Sequence, residues 1–130
     1  MGSKADFLEN KVLDHVLRNT TYTQAATVYS ALYTVIPSDS TAGTEVTNAS
    51  SGYTRVATTF STAASGSVTN SGAVTFATAA AAYTVVGWAV LDTSTVAAGN
   101  ILYWATVTTL AIAINDQATF AVGGIIITED

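Results

Sequence analysis

The sequence has no cysteine, one proline, one histidine, and four Lys/Arg against nine Asp/Glu in 130 residues. Each shortage excludes something. Without cysteine there is no disulfide framework, no thiolate zinc site and no thiol chemistry. A net charge of −5 with so few cations argues against nucleic-acid binding as the main activity, because neutralising a phosphate backbone needs Lys and Arg. A single imidazole leaves little for histidine-based catalysis. Charged residues make up 10% of the chain, against roughly 25% in ordinary soluble domains. That deficit is the compositional fact that most needs a physical explanation.

A long apolar run is missing as well. Val56 to Leu91 is free of charge, but Thr58, Thr59, Ser61, Thr62, Ser65, Ser67, Thr69, Asn70 and Ser71 interrupt it, with Gly66, Gly72 and Gly87. A membrane helix needs about 20 predominantly apolar residues, so no membrane span is expected. Leu8 to Leu17 is apolar on one stripe only, with Glu9, Asn10, Asp14 and His15 in between. A signal peptide needs a continuous apolar core.

What the chain does have is alanine and threonine, 23 of each. Its length suits one domain of roughly 100–150 residues. The charges are unevenly placed: Lys4, Asp6, Glu9, Lys11, Asp14 and Arg18 crowd the start, and the other 112 residues carry seven. Residues 1–19 are expected to form a helical segment and 20–130 a β-sandwich domain, the two making one structural unit. Ser3 and Asp6 have the spacing of a capping box. Leu8, Val12 and Val16 repeat at i, i+4, i+8, and Leu13 and Leu17 widen the stripe. Asp14 and Arg18 form a favourable i, i+4 pair, and Asn19 is a plausible left-handed stop. A helix this short is marginal in water on its own. Its stripe must therefore pack on this domain, on a neighbouring copy or on another protein.

After Asn19 the period changes. Thr27–Ile36, ending at Pro37, predicts a strand, and the polar stretch Ser38–Ser51 a loop. Tyr53–Ser61 alternates. Gly66–Asn70 and Gly72–Ala77 predict short strands around a turn. Tyr83–Leu91 is apolar on both faces and is expected to be central. Asp92–Asn100 is a turn region and Asn100–Thr109 a long strand, which Leu110–Ile114 either continues or replaces. Asn115-Asp116-Gln117 is a turn, and Ala118–Val122 and Ile125–Thr128 follow. Seven to nine short strands without a second long helical pattern predict an all-β fold. Its expected form is a single antiparallel β-sandwich or jelly-roll-like barrel with one N-terminal amphipathic α-helix.

No residue set specifies a reaction. His15 sits on the polar side of the helix with no local nucleophile. Asp39 and Glu45 share a loop but lack the dense oxygen-ligand pattern of a calcium site, so ordinary solvation of the loop is expected. Trp88, Trp104, Tyr83, Tyr103, Phe60, Phe76 and Phe120 are expected to fill a core or interface rather than form a sugar or base platform. Arg55 is the last cation of the chain and, in a mostly neutral sheet, needs an acid in this chain or across an interface. No catalytic residue, cofactor or metal is expected, and the chain is not expected to be an enzyme.

The opening Phe-Leu-Glu-Asn-Lys-Val-Leu-Asp-His-Val-Leu-Arg-Asn-Thr, from Phe7, resembles a family of small tailed-bacteriophage virion proteins. Val28-Tyr29-Ser30-Ala31-Leu32-Tyr33-Thr34, Gly52-Tyr53-Thr54-Arg55, Val74-Thr75-Phe76 and Gly87-Trp88-Ala89-Val90-Leu91-Asp92 continue the resemblance in order. So do Gly99-Asn100-Ile101-Leu102-Tyr103 and Phe120-Ala121-Val122-Gly123-Gly124-Ile125. The late turn departs from it, with Asn115-Asp116-Gln117 where such proteins commonly carry Gly-Asp. Members are often labelled tail fibre proteins, although this size and layout look as much like a capsid decoration, or cement, protein. The resemblance implies a virion protein made in the bacterial cytoplasm and carried on the capsid exterior. It would be a homotrimer that clamps adjacent capsomers of the major capsid protein, with no nucleic-acid or membrane partner. The alternative is a tail-associated or fibre-like module touching the host surface. The protein–protein interface is expected at Phe7, Leu8, Lys11, Val12, His15, Val16 and Arg18, with Arg55. Chains that live packed against neighbours need fewer solubilising charges, which would account for the charge deficit.

Overall fold

The computed structural model describes residues 3–129. In chain order the elements are β1 (Ser3–Lys4), α1 (Asp6–Leu17), β2 (Val28–Val35), β3 (Thr44–Glu45), α2 (Asn48–Ser51) and β4 (Val56–Thr58). They continue with β5 (Ser67–Thr69), β6 (Val74–Thr75), β7 (Tyr83–Leu91), β8 (Ile101–Ile112), β9 (Thr119–Phe120) and β10 (Ile126–Thr128). Every strand pairing is antiparallel. The fold is an all-β sandwich with an N-terminal helix.

Three long β-rich segments build the main sheet, in the order β1-β8-β7-β2-β3, with β4 also paired to β2. The central position expected of Tyr83–Leu91 is the one β7 occupies, between β8 and β2. Its neighbours are set by the registers Leu32↔Trp88 and Trp88↔Ala105. Leu110 does not start a new strand: β8 runs on to Ile112, absorbing register irregularities against Val85–Gly87 and Val90–Leu91. Such bulges bend a strand without ending it.

Alternation divides the side chains between two faces. Leu32, Trp88 and Val90 join Tyr53, Val74, Phe76, Ile125 and Ile127 in the principal core. That core is capped by a second, less regular layer of two strand pairs, β5–β10 and β6–β9. The aromatic residues fill it: Tyr53 stacks on Phe76 at 5.8 Å, and Phe120 meets Phe76 and Trp88 edge-on at 6.5 and 6.2 Å. Ala31, Tyr33, Ala89 and Leu91 form a smaller cluster on the opposite face with Ile101 and Trp104. There Ile36, just after β2, lies so close to Gly87 that a Cβ at position 87 would overlap its Cδ1.

Several local expectations change for identifiable reasons. Ser3 is not a helix cap: it pairs with Trp104 in the sheet, and Ala5 takes the N-cap position with no side-chain cap. The segment Ser38–Ser51 is not all loop, since it holds β3 and α2. The alternating Tyr53–Ser61 yields only the three residues of β4, the length over which Val28–Ser30 of β2 pairs with it. The described residues hold ten strands rather than seven to nine, the additions being two-residue strands such as β1 and β3. The segment 1–19 thus contributes a strand to the main sheet as well as a helix.

Candidate protein–protein interface

The helix is fixed at its start and free at its end. Ala5 N–H donates to the Leu102 carbonyl at 3.0 Å, and Asp6 N–H to the Asp39 carbonyl at 3.1 Å. These bonds satisfy one of the orphan donors of a helix N-terminus and join α1 to β8. Leu8 is buried against the principal core. Phe7 meets Tyr22 edge-on at 6.5 Å, and the Lys11 ammonium lies 5.7 Å from the Phe7 ring centroid. Beyond that turn the stripe leaves the domain: exposure climbs from 8% at Leu8 through 38% at Val12 to 69% at Val16 and 74% at Leu17. One helix face therefore begins as core and ends in solvent.

The far end closes on itself. Asn19 adopts the left-handed conformation expected of it, with φ +54°, and Thr20 N–H donates to the Asp14 carbonyl at 3.1 Å. Arg18 pairs with Asp14 at 3.0 Å on the exposed surface of the helix. His15 Nδ1 lies 3.3 Å from the Thr20 carbonyl and 3.5 Å from Tyr22 N–H. His15 thus faces the chain reversal while Arg18 lies along the helix against Asp14, leaving Val12, Leu13, Val16 and Leu17 as the exposed apolar surface.

Arg55 has a different position. It is buried inside the domain, its side chain 1% exposed. Its Nε and Nη2 donate to the two oxygens of Glu45 at 2.8 and 2.7 Å, and Nη1 donates to the carbonyls of Thr93 and Ala98 at 2.7 and 2.9 Å. Glu45 also accepts the Tyr53 hydroxyl at 3.0 Å and Ala97 N–H at 2.8 Å. Burial alone would lower the Arg55 pKa, but the hydrogen bonds and charge of Glu45 outweigh it and raise it. Burial, then Glu45, pushes the neighbouring Tyr33 phenol up to about 12 and Tyr53 higher still. With its charges neutralised and its oxygens occupied, the group has no free base or acid to offer a substrate. Its effect is mechanical, joining β3, the start of β4 and the loop before β8.

The possible loop calcium pair is also engaged elsewhere. Glu45 is committed to Arg55, and Asp39 Oδ1 accepts the Trp104 indole N–H at 3.2 Å. Among the described residues no group of three His, Cys, Asp or Glu is placed to hold a metal ion, and no helix is long and apolar enough to cross a membrane.

Residues 3–128 match the family described as Podophage GP4 fiber I protein gp80. The chain belongs to that family. Membership makes it one of a family of phage virion structural proteins, in agreement with the resemblance carried by its own residue blocks. No curated protein matches the chain. In this gp80-family chain Val12, Leu13, Val16 and Leu17 of α1 remain exposed.

Sequence reasoning missed Glu45, read as a solvated loop acid. The available signal was Arg55 itself: a lone cation in a neutral stretch requires an acid, and Glu45 is the nearest one upstream. It also missed Asn70, fully buried, whose Nδ2 donates to the Gly72 and Ala121 carbonyls at 2.8 Å while Oδ1 accepts Ile125 N–H at 2.8 Å. Nothing local distinguishes this asparagine from a turn residue.

Proposed function

We propose that this chain is a fibre-type structural subunit of the phage virion, a rigid β module attached to another virion protein through the free end of α1. The exposure of Val12, Leu13, Val16 and Leu17 on one helix face carries the reading. Fully burying a side chain of this kind is worth roughly 1.5–3 kcal/mol, so a groove accepting the stripe would gain several kcal/mol. The action is passive and non-enzymatic: no cofactor is used, and strength comes from many copies engaged at once. Nucleic acid and membrane are not partners in this reading.

A second reading retains support from one observation, the absence among the described residues of a shaft repeat or long coiled coil. In it the chain decorates the capsid exterior, as trimers clamping the major capsid protein. Particle analysis separates the two. With Val16→Asp and Leu17→Asp together, the purified chain is expected to keep its circular dichroism spectrum but to be absent from particles. Loss of host adsorption with intact heads supports the fibre role. Hundreds of copies co-purifying with heads, and fragile heads on deletion, would replace it with decoration. Normal incorporation of the double variant would remove the helix from either account.

A further inference from the structure

The free side of β8 is an unfinished sheet edge. β1 covers it only at Tyr103 and Trp104, and Ala5 N–H takes the carbonyl of Leu102. Among the described residues no strand lies on that side from Ala105 to Ile112, a stretch of about 26 Å along the edge. Natural sheets guard such edges with Lys, Pro, a bulge that twists the edge away, or a covering loop. Here Asn100 to Asn115 contains neither a charge nor a proline, and the bulge in this stretch, between Thr106 and Leu110 opposite Val85–Gly87, keeps Val107 and Leu110 on the same groove.

We propose that this edge pairs with the same edge of a second copy of this chain, joining two six-stranded sheets into one. Three observations favour a second copy. The free window matches itself: antiparallel pairing across all of it sets Ala105 against Ile112, Thr106 against Ala111, Val107 against Leu110 and Thr108 against Thr109. In that register the described residues of each copy's β1, Ser3 and Lys4, lie beyond the end of its partner's window. Val107 and Leu110 line the same shallow groove beside Phe120, so their cross-strand contact extends the principal core. Finally, two chains each carrying −5 must meet where no like charges are forced together, and this stretch is neutral. Trp88 lines the adjoining groove with Ile126, and its buried indole N–H has no acceptor among the described residues. A symmetric pair of this kind has closed two-fold symmetry.

The pairing does not depend on where in the virion the chain sits. The test is the mass of the purified full chain by light scattering across a concentration series, with hydrogen exchange measured at both ends. A dimer is expected, with amides in 105–112 gaining protection as concentration rises. Thr108→Lys, on an exposed position, is expected to weaken association at least tenfold while leaving the circular dichroism spectrum unchanged. A monomer at every concentration would overturn the proposal, and so would a trimer. So would a dimer whose concentration-dependent protection falls on α1 instead of 105–112, an outcome that holds even if the lysine variant fails to fold.

Discussion

The two edges of the main sheet receive opposite treatment. On one side, every stretch of β2 finds a partner. β4 pairs with Val28–Ser30, β3 with Tyr33 and Val35, and Leu32 in the gap accepts Val46 N–H at 2.9 Å while donating its own N–H to the Tyr53 hydroxyl at 3.0 Å. The buried Glu45–Arg55 pair then holds those pieces together. On the other side, among the described residues, β8 has two residues of β1 and then eight with no strand beside them. The same chain thus uses a buried ionic network to finish one edge and leaves a neutral, threonine-rich strand at the other. Unpaired backbone is tolerable only in water or against a partner. The contrast therefore separates an edge made for stability from one available for assembly.

Breaking the finished edge has the largest expected effect. Arg55→Ala strands a buried carboxylate and is expected to cost about 3–5 kcal/mol, read from urea unfolding. The pair Arg55→Met with Glu45→Leu, which removes both charges, is expected to be less destabilised than Arg55→Ala. Equal or greater loss would mean that the pair matters for more than mutual neutralisation.

Alkali attacks the same edge. Tyr33, opposite Glu45 in the register, has its pKa raised from 10.0 to about 12. The raised value means that the fold favours the neutral phenol. That stabilisation is complete below pH 10 and is lost as pH climbs toward 12. The size of the shift corresponds to about 2–3 kcal/mol. Unfolding followed by circular dichroism between those pH values should show a decline, and Tyr33→Phe should make it less steep without removing it, because Tyr53, Tyr83 and Tyr103 are raised as well.

The open edge is expected to respond far less. The latch that keeps β1 on β8 is a Lys4–Glu129 ion pair at 2.6 Å, with Tyr103 donating to the same carboxylate at 2.6 Å. Burial would raise the Glu129 pKa, but the hydrogen bonds from Lys4 and Tyr103 and the Lys4 charge bring it below its ordinary value. A lowered carboxylate pKa stabilises above the ordinary value of 4.5 and is lost as pH falls below it. Lys4→Ala is expected to remove less than about 1 kcal/mol and to weaken that acid dependence in hydrogen exchange at Ser3–Lys4, the Tyr103 hydrogen bond remaining. Smallest of all, Thr108→Lys should change monomer stability by no more than about 0.5 kcal/mol.

Much of this architecture was legible in the residues. The strands β2 and β7 coincide almost residue for residue with the β-rich runs ending at Ile36 and Leu91. Asn19 ends the helix turn as its tolerance of positive φ suggests. The short strands were less legible, because a two-residue strand such as β3 has no period to detect and exists only through its partner. The helix stripe was legible as an interface candidate. The place of Arg55 was left between two options, and contact with Glu45 ten positions away selected one of them.

The sequence by itself determined the class of fold: alternating β-branched residues demand a sheet, and the stripe from Leu8 to Leu17 marks one amphipathic helix. Tertiary structure alone decided which surfaces remain to be buried. Leu8 and Leu17 belong to the same helical stripe and are chemically alike, yet one is core and the other 74% exposed. Thr44 and Thr108 are equally plausible strand residues, yet one sits on the short strand that covers β2 and the other on the uncovered run of β8. Periodicity reports which face of an element is apolar, whereas burial depends on what the rest of the chain brings alongside. For α1 and β8, the chain brings only enough to cover the beginning of each.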